Sequence, residues 1–164
     1  MNFVSLREYF YKLANRCYLL ILLPLAVFIY LYYLLIERRI GPLVQDEFLV
    51  LTIVTTLIIS CLVNLTTVHW LAWRRLGKIS TISGLGEKLD RFVEIVMLRF
   101  GAYCASAMIM ALGLLLTASE WFAGFFILIL LWAALQWPRP RRACYDLKLK
   151  GDEYQMVRYK KDRL

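Results

Sequence analysis

LVLTIVTTLIISCLVNLTTVHWLAW, residues 49–73, reads as one membrane-spanning helix. It holds no Asp, Glu, Lys or Arg. It exceeds the ~20 apolar residues that a helix needs to cross a bilayer. Within it Thr52, Thr56, Ser60 and Asn64 recur at every fourth residue, and Thr67 continues the column. That interval keeps the residues near one side of a helix. Hydrocarbon offers such groups no partner, so the column is expected to face another helix.

Working outward, four runs lack all four charged residue types: 17–36, 48–73, 100–119 and 121–138. The chain is 61% hydrophobic, against about 45–50% for soluble domains. Outer-membrane strands are about 10 residues long and alternate in polarity, and these runs do neither. The pattern predicts spans at about 17–36, 48–73, 95–117 and 121–137, forming one domain over 17–138. The first run is too long for the core of a cleaved signal and lacks a small-x-small exit, so it is expected to stay as a span.

Charge sets the orientation. Eighteen of the twenty Lys and Arg fall in 1–16, 74–99 and 138–164; Arg38 and Arg39 are the other two. Flanking segments and connections rich in Lys and Arg mark the cytoplasmic side. The expectation is an integral protein of a bacterial inner membrane with both termini cytoplasmic. The net charge of +8 is then explained by orientation and by anionic headgroups, with no nucleic acid. The four cysteines, Cys17, Cys61, Cys104 and Cys144, form no CxxC and suggest neither a disulfide framework nor a metal site.

The remaining segments flank the spans. Residues 1–16 place Phe3, Leu6, Phe10 and Leu13 at helical spacing, which predicts an amphipathic interfacial helix running into the first span. The inner connection starts with Arg74, Arg75 and Lys78, and turns helical from Glu87 with Ser83 as a candidate cap. Arg99 borders the third span and is expected to snorkel to the interface. Gly101 and Ala105, and likewise Ala102 and Ser106, offer small-xxx-small faces for the column of the second span. His69 sits between Trp70 and Trp73 at headgroup depth and reads as an interfacial anchor.

The basic tail, 139–164, changes period. Tyr145, Leu147 and Leu149 alternate with Asp146, Lys148 and Lys150; Gly151-Asp152 follows, then Tyr154 and Val157 on the way to Lys160. This predicts a β-hairpin. A lone hairpin is marginal in water, so Tyr145, Leu147, Leu149, Tyr154 and Val157 need a surface to cover them. The fold expected is thus an all-α four-helix transmembrane bundle with an interfacial N-terminal helix and a small cytoplasmic hairpin.

No charged residue lies deep in a span, and no nucleophile motif, paired histidines, phosphate loop or haem motif is present. The sequence points to no catalytic residue, no metal and no cofactor. Its leading reading is a non-catalytic integral membrane subunit or assembly factor. The partners would be membrane lipids and other membrane subunits, or a second copy. One alternative is an oligomeric channel or carrier lined by Thr52, Thr56, Ser60 and Asn64. Another is a membrane-embedded lipid-binding protein or enzyme that sets Arg74, Arg75, Lys78, Arg141 and Arg142 against phosphates.

Overall fold

The computed structural model describes residues 5–80, 82 and 84–159. Phe3, Ser83 and Lys160 lie outside the described residues. Six helices follow one another: α1 (Leu6–Ile36), α2 (Glu47–Ile79), α3 (Leu85–Thr117), α4 (Trp121–Leu135), α5 (Pro140–Asp146) and α6 (Gly151–Tyr159). Local chemistry sets several of the ends. Ser5 caps α1 by accepting from the Glu8 N–H at 3.2 Å. Asp46 caps α2 by accepting from the Phe48 and Leu49 N–H groups at 2.9 and 3.3 Å. Either cap is worth about 0.5–2 kcal/mol. Pro24 is accommodated inside α1 and is buried.

Three helices, α1, α2 and α3, are long and apolar enough to cross a membrane. A fourth crossing is reached only if α4 and α5 are counted together, and that pair is bent by 81°. The expectation of four full spans is corrected to that extent: α4 has 15 residues and ends at Leu135, two short of the predicted 137.

The hub is α3. Over its apolar stretch 56% of residues are buried, against 11% for α1 and for α2. The other long helices pack on α3, while α2 and α4 barely touch. Val44 N–H donates to Leu116 O at 3.0 Å, which brings the start of α2 to the end of α3 and makes the two antiparallel. The turn into α4 is tight. Thr117 Oγ1 accepts from the Ser119 N–H at 3.3 Å, and Ala118 takes a left-handed conformation (φ 53°). Phe122 then lies against Gly113, where a Cβ would collide with its ring.

At 33 residues, α2 and α3 each extend about 50 Å, well beyond a ~30 Å hydrocarbon core. Both run past the apolar stretch at the end of the bundle where α1 begins. Here Leu6, Tyr9, Phe10, Leu13 and Cys17 of α1 are buried, and Tyr9 Oη donates to Leu89 O at 2.8 Å. The apolar stripe of residues 6–17 is therefore covered by protein. Where water is the solvent, burying each large apolar side chain contributes about 1.5–3 kcal/mol. Between helices in lipid that drive is absent, and close packing and polar pairs hold the bundle.

The expected β-hairpin is absent. No strand occurs among the described residues, and the tail forms α5 and α6. The reason lies at residues 147–149. Leu149 N–H donates to Cys144 O, Lys148 N–H donates to Tyr145 O, and Lys148 is left-handed (φ 50°). This is a Schellman stop, with an apolar contact available between the buried Leu149 and Cys144. The alternating pattern over 145–150 is thus one helical turn followed by its cap. Gly151 (φ 57°) then leads into α6.

Candidate functional site

The polar column of α2 does not act as a unit. Each four-residue step on a helix overshoots a full turn by about 40°, so a long column winds round the cylinder. Asn64 is half-buried against α3, and its Nδ2 donates to Ser106 Oγ at 3.0 Å and to Ala102 O at 3.4 Å. Thr52, Thr56, Ser60 and Thr67 are exposed. The Thr52 hydroxyl is satisfied by Phe48 O at 2.8 Å, as Thr55 is by Leu51 O and Thr66 by Leu62 O. Thr56, Ser60 and Thr67 have no hydrogen-bond partner among the described residues. On α3, Gly101 is half-buried and Ala105 is exposed; the small pair that meets Asn64 is Ala102 and Ser106.

Two clefts open beside α2. One, of about 700 Å³, runs between α2 and α4; its walls include Leu62, Leu65, Trp70, Phe125, Leu128 and Trp132. His69 lines it too, 6.2 Å from the Trp132 ring. The other, of about 890 Å³, lies between the C-terminal end of α2 and the α5–α6 tail. It is lined by Arg74, Arg141, Lys148 and Lys150 above Trp73, Leu76 and Leu149. Trp73 belongs to both clefts. Arg74 is held over the Trp70 ring at 3.9 Å, a cation–π contact that joins the basic cleft to the apolar one.

The basic set predicted from sequence is therefore divided. Arg74 and Arg141 meet in the cleft. Arg142 is turned away: it donates to Gln136 Oε1 at 2.5 Å and to Leu135 O. Arg75 and Lys78 are exposed on α2 and do not line the cleft. The tail residues divide as well. Leu147, Leu149 and Val157 are buried in the chain's own core, Tyr154 is half-buried, and Tyr145 is 84% exposed. Burial raises the Cys144 thiol above its ordinary range, with Arg158 opposing, so Cys144 is no ready thiolate.

Two ion pairs clamp the tail and were not legible beforehand. Lys88 Nζ lies 2.7 Å from Glu153 Oε2. Arg99 Nη1 lies 3.5 Å from Asp146 Oδ2, and Arg142 Nε approaches the same oxygen at 3.9 Å. Arg99 does not snorkel: it is 6% exposed. The available signal was its place at the edge of a charge-free run, where a cation needs a counter-ion if it stays inside. No group of three or more His, Cys, Asp or Glu placed to hold a metal occurs among the described residues. No protein-family model, curated protein or solved structure matches the chain.

Proposed function

We propose that this chain is a non-catalytic integral membrane subunit that works by holding a second membrane protein through α2. The observation that carries the reading is the face made by Thr56, Ser60 and Thr67. At 100° per residue the three fall within a 40° arc, on the exposed side of a helix of membrane-spanning length. Their hydroxyls have no partner within the described chain, and acyl chains supply none. Small hydroxyl side chains are what close helix–helix contacts in membranes use, at about 0.6–2 kcal/mol for each hydrogen bond. The tail is not needed for the contact, because Leu147, Leu149 and Val157 already pack in the chain's own core.

The orientation that goes with this reading puts both ends on the cytoplasmic side of a bacterial inner membrane, with α4 and the bend into α5 together as the returning crossing. Support comes from the Lys and Arg distribution and from the course of α4. Its Phe122 lies on Gly113, and Trp137 just beyond it lies 5.6 Å from Phe100, so the segment retraces the apolar half of α3. Purification in a mild detergent tests the role. A stoichiometric complex with another membrane protein is the result expected. A lone monomer with full cellular function would end the reading, and a homomer would move it to self-association.

A further inference from the structure

We infer that the two clefts beside α2 form one site for an anionic phospholipid, with its phosphate in the basic cleft and an acyl chain in the apolar one. The two clefts are continuous. Trp73 lines both clefts, and the Arg74–Trp70 stack sits at their junction. A molecule filling both must be anionic at one end and apolar along the rest.

The charge balance selects the sign. Arg74, Arg141, Lys148 and Lys150 line the basic end, and none has a carboxylate within 4.0 Å among the described residues. Asp146 is the one acid lining that cleft, and it is already engaged by Arg99 and Arg142. Four uncompensated cations therefore face an opening of about 890 Å³. Guanidinium and ammonium groups together suit a phosphate diester, which accepts several charge-assisted hydrogen bonds at once.

Depth selects a lipid over a free anion. The apolar cleft is walled by the charge-free parts of α2 and α4, which pack on α3 but scarcely on each other. Inorganic phosphate has no use for that groove. The apolar end of this site is set apart from the proposed protein contact: by helical angle, Leu62, Leu65 and Trp73 stand on the far side of α2 from Thr56, Ser60 and Thr67, whereas Arg74 falls within their arc, so the Lys148 and Lys150 variants, which lie off α2, keep the two readings apart. Either proposal can fail without the other.

The test uses full-length protein, stripped of lipid in mild detergent and titrated separately with phosphatidylglycerol, with phosphatidylcholine of the same chains, and with inorganic phosphate. Native mass spectrometry reads retained lipid, and thermal unfolding reads stabilisation. Phosphatidylglycerol is expected to be retained at least tenfold more tightly than phosphatidylcholine and to raise the unfolding temperature. Phosphate alone should do neither. Arg74→Gln with Arg141→Gln should remove the preference. So should Lys148→Gln with Lys150→Gln in the turn between α5 and α6, which guards against a folding defect in the first pair. Arg139→Gln, next to the site but not lining it, should leave the preference intact. Equal retention of the two lipids would overturn the proposal. So would an equal loss in Arg139→Gln, which means general surface attraction, or full stabilisation by phosphate alone.

Discussion

Arg99 of α3 and Asp146 of α5, 47 residues apart in the chain, meet at 3.5 Å. Their side chains are 8% and 11% exposed, so the pair is desolvated. Arg142 adds a second cation on the same carboxylate. The Nε atoms of Arg99 and Arg142 have no hydrogen-bond partner among the described residues. Asp146 therefore holds together a locally cationic junction, and the tail is fastened by it.

Asp146→Ala leaves Arg99 buried without its counter-ion. Breaking a buried pair from one side costs about 3–5 kcal/mol. The variant is expected to unfold at a lower temperature in detergent, and its α5–α6 tail should become protease-sensitive. Arg99→Met combined with Asp146→Leu should recover most of the loss, since an apolar pair needs no compensation. Wild-type unfolding and protease resistance in Asp146→Ala would contradict the assignment.

Asn64→Leu removes two interhelical hydrogen bonds, to Ser106 and to Ala102. The expected loss is about 1 kcal/mol, the scale of polar pairs between membrane helices. Ser106→Ala should cost a similar amount, and the double variant less than the sum, because both remove the same contact. Strict additivity in a double-mutant cycle would show that the two side chains do not interact.

Gly113→Val places a side chain where the Phe122 ring already lies. Overpacking of this kind costs about 1–3 kcal/mol. Gly124→Ala serves as the control, since nothing stands within 4 Å of its would-be Cβ. Thermal unfolding should separate the two; equal stability would place Phe122 elsewhere.

These sites show how far the sequence could be read. Apolar runs located the helices because bilayer thickness sets their length. The tail misled because Lys148 occupies a left-handed position where glycine is usual, which hid a helix stop inside an alternating pattern. The column over Thr52 to Thr67 was read as one face because each step looks small, yet the winding accumulates and only Asn64 reaches α3. Arg99–Asp146 and Lys88–Glu153 were illegible for another reason. No local rule pairs residues 47 or 65 positions apart. The clefts depend on α2 and α4 being held apart by α3, which no single stretch encodes.

Orientation has its own test. Gly41→Cys and Asp152→Cys place thiols at exposed positions, while native Cys17, Cys61 and Cys144 are buried. A membrane-impermeant thiol reagent added to intact cells should label position 41 and spare position 152. Labelling of 152 from outside would reverse or abolish the proposed topology.

The most direct measurement for the central claim is photo-crosslinking along α2 in native membranes. A photoreactive residue is placed in turn at Thr56, Ser60 and Thr67, and at Ile29 on the exposed side of α1 as a control. The account expects one discrete protein adduct from all three α2 positions and none from Ile29. Lipid adducts alone at Thr56, Ser60 and Thr67 would contradict it.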